Sequence, residues 1–91
     1  SPNSVCEAML IGLPVIATYA GGTSSLITNG IDGILIQDGD PFSLAGTIME
    51  LVRDTDLMFK VSKNAIERAT VRHSKDQVVS DLMNIYSRIL S

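Results

Sequence analysis

The sequence predicts an α/β fold in which two short parallel strands are surrounded by about four helices. Three observations carry the prediction. The stretch from Glu7 to Gly22 passes from a helical pattern through a turn into an apolar run, and ends on a glycine pair. A second apolar run, Ile34-Leu35-Ile36, follows the turn signals Asn29-Gly30 and Asp32-Gly33. Runs this short suit strands buried on both faces, as parallel sheets require. From Pro41 onward apolar residues recur at helical spacing, so the second half of the chain is helical.

Taken in order, Asn3 or Ser4 caps a helix over Val5 to Ile11 and sets Glu7 near its first turn. Gly12 can take the left-handed conformation that closes a helix. Leu13-Pro14 makes the turn, because proline fixes its φ and suits the entry to a strand. Val15 to Thr18 is the first strand. Gly21 and Gly22 lie beyond its carboxyl end, where open α/β sheets place their ligands. Glu7 and the glycine pair are therefore expected to line one cleft. If Gly22 needs a positive φ, a β-branched residue there should destabilise the loop by at least ~1 kcal/mol.

Gly21-Gly22-Thr23-Ser24-Ser25 has no following lysine and matches neither a phosphate loop nor a dinucleotide fingerprint. Two readings fit it: a turn into a short helix over Ser24 to Thr28 capped by Thr23, or a bare backbone that a phosphate or sugar can approach. Asp40 caps the next helix, with Pro41 at its first position. Asp32, Asp38 and Asp40 lack the spacing and bidentate glutamate of a calcium loop and read as turn chemistry.

Over Pro41 to Arg53, Leu44, Ala45, Ile48, Leu51 and Val52 form a face for the sheet. Asp54-Thr55-Asp56 then starts a helix to about Ala69, in which Leu57, Val61, Ala65 and Ala69 recur every four residues. Arg68, Arg72 and His73 crowd its end, where cations complement the helix dipole. His73 reads as a packing residue rather than a catalytic one. Ser74 caps a last helix from Lys75 to about Leu90. Its stripe of Val78, Leu82, Ile85, Tyr86 and Ile89 is wider than one small partner needs.

Composition narrows the function. Ninety-one residues make one small domain with a modest core. A formal charge of −3 with no basic cluster argues against nucleic acid as a partner. Cys6 is the single cysteine, so no intrachain disulfide forms. No apolar run reaches the roughly 18–20 residues of a membrane span.

With those residues in view, the chain resembles the donor-binding domain of retaining glycosyltransferases of the GT-B fold, the group 1 family. Glu7, Ala8, Met9, Gly12, Pro14, Val15, Ile16, Ala17, Thr18, Gly21 and Gly22 match the family's pattern in order. Gly30-Ile31-Asp32-Gly33-Ile34-Leu35-Ile36 looks like its next motif, and Ile85-Tyr86 sits where its last helix carries such a pair. The resemblance implies a Rossmann-like fragment, the end of a GT-B C-terminal domain, with residues 1–91 as the later part of a nucleotide-sugar-binding domain. Upstream strands and the acceptor domain are then expected in a longer parent. The first glutamate of the family's pair would fall two residues before Ser1.

The resemblance also implies a reaction: transfer of a sugar from a nucleotide-sugar donor to an acceptor hydroxyl with retention. Glu7 would take the ribose hydroxyls. Asn3, Ser4 and Val5, at the helix start, would face the diphosphate and sugar, since such N–H groups favour anions. Gly21 and Gly22 would let the donor approach. No catalytic residue, metal ligand or cofactor is assigned within the chain, which alone should be inactive and bind donor weakly or not at all. A cytoplasmic location is expected, with peripheral membrane contact of the parent left open. Two alternatives remain: an epimerase or phosphorylase of the same fold, and a non-catalytic interaction module. The uncovered stripe of the last helix predicts self-association.

Overall fold

The first helix, α1 (Pro2–Leu10), ends where a glycine lets it. Gly12 has φ +79°, its N–H donates to the Met9 carbonyl at 3.1 Å, and the Leu13 N–H donates to the Ala8 carbonyl at 3.0 Å. This pair of reversed bonds is the Schellman closure that a left-handed glycine makes available. The computed structural model describes residues 2–90, with side chains from residue 4 onward.

Two strands follow, β1 (Ile16–Thr18) and β2 (Ile34–Ile36), paired parallel with Ile16 opposite Ile34 and Thr18 opposite Ile36. The parallel α/β architecture is thus as expected. The connection carries one 3₁₀ turn, Ser24–Leu26, preceded by Thr23, whose side chain makes no capping bond. The expected helix to Thr28 is therefore shorter and uncapped. The second turn depends on two glycines for different reasons. Gly30 has φ +79°. Gly33 is tight, since a Cβ there would meet Ile27 Cγ2 at 2.8 Å and the Val15 carbonyl at 3.2 Å. Both strands are only half-buried apart from Ile36, rather than covered on both faces.

Helix α2 (Pro41–Arg53) starts as the sequence predicts: Asp40 Oδ1 accepts the Ser43 N–H at 3.0 Å, with Pro41 in the first turn. Its apolar face is covered less than expected. Leu51 is buried, whereas Ile48 and Val52 stay 47% and 65% exposed. Asp54 ends α2 and caps α3 (Thr55–Leu90), accepting the Leu57 N–H at 3.0 Å.

The largest correction concerns α3, which is one helix of 36 residues and not two. Ser74 lies inside it. Neither glycine nor proline occurs after Gly46, and Arg72-His73-Ser74 carries no residue that forbids helical φ/ψ. At about 1.5 Å rise per residue the helix is about 54 Å long, which accounts for the molecule's longest dimension of 56 Å. The core sits where α1 crosses its first half. Met9, Ala65 and Ala69 are buried there, with Val5, Leu10 and Val15 packed around them.

Candidate functional site

The start of α1 sets the site's geometry. The helix begins at Pro2 and not at Val5, because proline at a first helical position has its φ preset and loses no hydrogen bond. Asn3 and Ser4 therefore lie within the helix instead of capping it, and Glu7 falls in the second turn. The side chain of Asn3 lies outside the described side chains. Ser4 is exposed, and Val5 turns its side chain into the α1–α3 core. Of these three, Val5 offers a ligand no side chain, and in a helix that begins at Pro2 the N–H groups without intrahelical partners precede it.

Glu7 is exposed on the rim of a concavity of about 280 Å³ between α1 and α3. The other lining residues include Cys6, Arg72, His73 and Asp76. Among the described residues no hydrogen bond or ion pair engages the Glu7 carboxylate. An ionised carboxylate is acceptor-only and can receive two hydroxyl protons at once, so its capacity is available to a ligand. His73 is exposed on this wall and does not pack in a core.

Gly21 and Gly22 line none of this concavity. Gly21 closes a turn, donating to the Thr18 carbonyl at 3.2 Å and accepting from the Ser24 N–H at 3.2 Å. Gly22 is exposed and, contrary to expectation, is not among the glycines at positive φ; a Cβ there would meet nothing within 4 Å. Its backbone is bare without being strained, so the cost expected for a β-branched replacement does not apply.

Three side chains of α3 instead organise the loop beyond the glycines. Arg68 Nη1 donates to Thr28 Oγ1 and to Asp32 Oδ2, both at 2.9 Å, and its Nη2 donates to the Ser25 carbonyl at 3.2 Å. Asn64 Nδ2 donates to the Ile31 carbonyl at 2.9 Å. Arg72 Nη2 donates to the Leu26 carbonyl at 3.3 Å, while its Nη1 reaches Cys6 Sγ at 3.6 Å. Arg72 thereby links the concavity at Glu7 to the loop after β1. Asp32 is 4% exposed and also accepts the Thr28 N–H at 2.7 Å, so it does more than shape a turn.

Arg68 and Arg72 are thus loop clamps in mid-helix rather than cations at a helix end. Their signal in the sequence is the spacing Asn64, Arg68, Arg72 at i, i+4 and i+8, one face of a continuous helix. Breaking the helix near residue 73 hides that face.

The architecture is that of part of the C-terminal domain of a GT-B glycosyltransferase. Its relatives agree with this. A crystal structure of the C-terminal domain of a glycosyl transferase group 1 family protein (LpcC) from Francisella tularensis superposes with a TM-score of 0.69 at 28% identity, covering 75% of this chain and 35% of that one. Anabaena Alr3699/HepE, crystallised in complex with UDP-glucose, gives a TM-score of 0.76 at 31% identity over 89% of this chain and 23% of that one. In sequence, the N-acetyl-alpha-D-glucosaminyl L-malate synthase of Bacillus anthracis is 31% identical over 84 residues, 92% of this chain and 22% of the relative.

The family described as glycosyl transferases group 1 matches residues 1–54, which include Glu7, both strands and the glycine pair. The chain belongs to the group 1 glycosyltransferases. It spans about a fifth of the length of the curated relatives it matches.

Proposed function

We propose that this chain forms the later part of the nucleotide-sugar-binding domain of a glycosyltransferase. The complete enzyme moves a sugar from a nucleotide-sugar donor to an acceptor hydroxyl with retention of anomeric configuration. The observation that carries the reading is Glu7: an uncommitted carboxylate on the second turn of α1, inside the segment that matches the family. Glu7 accepts the ribose hydroxyls, the start of α1 at Asn3, Ser4 and Val5 faces the diphosphate, and the bare backbone at Gly21-Gly22 admits the donor. The UDP-glucose complex of the HepE relative supports a donor of this class.

No catalytic residue is assigned within the chain. Alone it binds donor weakly or not at all and does not turn over, because transfer requires both substrates held in register. Its partners are the donor and, through α3, a second copy of the chain. No described helix is long and apolar enough to cross a membrane; the working location is cytoplasmic.

The test is Glu7→Gln in the full-length polypeptide that carries this segment, read by titration calorimetry with UDP-glucose and other nucleotide sugars. Donor affinity should fall by about 1–3 kcal/mol, the cost of a lost charge-assisted hydrogen bond, with the fold unchanged by circular dichroism. Equal affinity of the folded variant would remove Glu7 from the site.

A further inference from the structure

Arg68 and Arg72 leave the same face of α3 and differ in what they reach. The bonds of Arg68 all land within one segment, at Ser25, Thr28 and Asp32, so it holds that segment's own shape. Those of Arg72 land on two elements. Its Nη2 donates to the Leu26 carbonyl at 3.3 Å, and its Nη1 reaches Sγ of Cys6, the residue before Glu7 on α1, at 3.6 Å. On the loop side, Leu26 ends the 3₁₀ turn, where carbonyls lack partners within the turn and a cation complements them. The Leu26 N–H donates to the Thr23 carbonyl at 3.0 Å, and the Ser24 N–H to the Gly21 carbonyl at 3.2 Å. Two overlapping turns thus tie Leu26 back to the glycine pair. On the helix side, α1 rests on α3 through Met9 over Ala65 and Ala69. Apolar contact is non-directional, and two alanines give little to stop a helix of 9 residues from turning or sliding. The bond at Cys6 supplies the direction. Sulfur accepts only weakly from a neutral donor, and a charged guanidinium strengthens the contact.

We propose that Arg72 is a positioning residue of the donor site: it locks α1 against the loop after β1 and so fixes where the Glu7 carboxylate stands relative to the Gly21-Gly22 backbone. The inference rests on the reading of Glu7 as a donor ligand. Arg72 lines the same concavity as Glu7, but its two terminal nitrogens are committed to Leu26 and Cys6. Its part is to place the carboxylate, not to replace it. The role needs the planar fork. A lysine keeps the charge but ends in a single point and cannot span both partners.

The test uses the full-length polypeptide that carries this segment, titrated calorimetrically with UDP-glucose and a panel of other nucleotide sugars, with circular dichroism on each variant. Arg72→Lys should raise the donor dissociation constant about fivefold to tenfold at unchanged charge. Cys6→Ala removes the other end of the bridge while favouring the helix, and should weaken binding in the same direction by about threefold. In the Glu7→Gln background, Arg72→Lys should add less than about twofold, because a carboxylate already absent cannot be misplaced. A purely structural role would add its full factor in either background. Wild-type affinity in Arg72→Lys or in Cys6→Ala, or a full additive loss beside Glu7→Gln, overturns the proposal and leaves Glu7 as a donor ligand. Wild-type affinity in Glu7→Gln, or a polypeptide that binds none of the nucleotide sugars, removes Glu7 itself and overturns both readings.

Discussion

The two halves of α3 share one helix and differ in nearly everything else. The first half buries Val61, Ala65 and Ala69 and spends Asn64, Arg68 and Arg72 on the loop between the strands. The second half carries larger apolar side chains and buries none of them. Size and hydropathy therefore did not choose what is inside. Approach did: alanine at 65 and 69 lets α1 come close enough for Met9 to be fully covered, since the distance between packed helices depends on the side chains at their contact. Among the described residues none covers the second half. Polar groups follow the same rule, since the clamps stand only on the half that has a loop to hold.

The comparison can be broken most severely at Met9. Met9→Ala should cost about 2–5 kcal/mol, because it opens a cavity in the one well-packed crossing. Leu82→Ala, measured at a dilution where the chain is monomeric, should stay within about 0.5 kcal/mol, as surface replacements do. Chemical denaturation of both variants reads the contrast directly; equal losses would mean that the second half of α3 is packed after all.

A smaller effect is expected from Arg68→Ala. It leaves Asp32 buried with the Thr28 N–H as its remaining partner. Breaking a buried pair costs several kcal/mol, reduced here to about 2–3 kcal/mol because water reaches the arginine. Thermal melts supply the number, and hydrogen exchange should show residues 25–32 opening first. A loop that stays protected in the variant would show that the backbone turns alone hold it.

Smallest is the effect of Ser74→Gly, at the junction of the halves. A glycine in an exposed helix interior costs about 1 kcal/mol. The loss should appear as faster amide exchange beyond residue 74 with no change in the global unfolding midpoint. A lowered midpoint would mean that the two halves fold as one unit.

The contrast also explains how far the sequence could be read. Local signals were reliable wherever one residue's own chemistry decides the backbone. Gly12 closes α1, Asp40 with Pro41 opens α2, Asp54 opens α3, and the two apolar runs are strands. Gly22 misled because glycine permits a positive φ without requiring one. Ser74 misled for a similar reason: serine is a good cap, but it sits inside a helix when nothing stops the chain from continuing. Asp32 read as turn chemistry because its second partner, Arg68, is 36 residues away.

The site divides along the same line. The resemblance to a family motif singled out Glu7. The sequence by itself determined the α/β class, the parallel strand pair, and the helix ends at Gly12, Asp40 and Asp54. Each of these follows from a residue and its immediate neighbours, through φ preference, capping or periodicity. Only the tertiary structure decided that Val5 faces inward, that Glu7 shares with Arg72 and His73 a concavity that Gly21 and Gly22 do not line, and that Asn64, Arg68 and Arg72 hold the loop. Those outcomes depend on where α1 crosses α3. That crossing is set by close packing of Met9 on two alanines, a contact between residues more than fifty positions apart, and no local propensity specifies it.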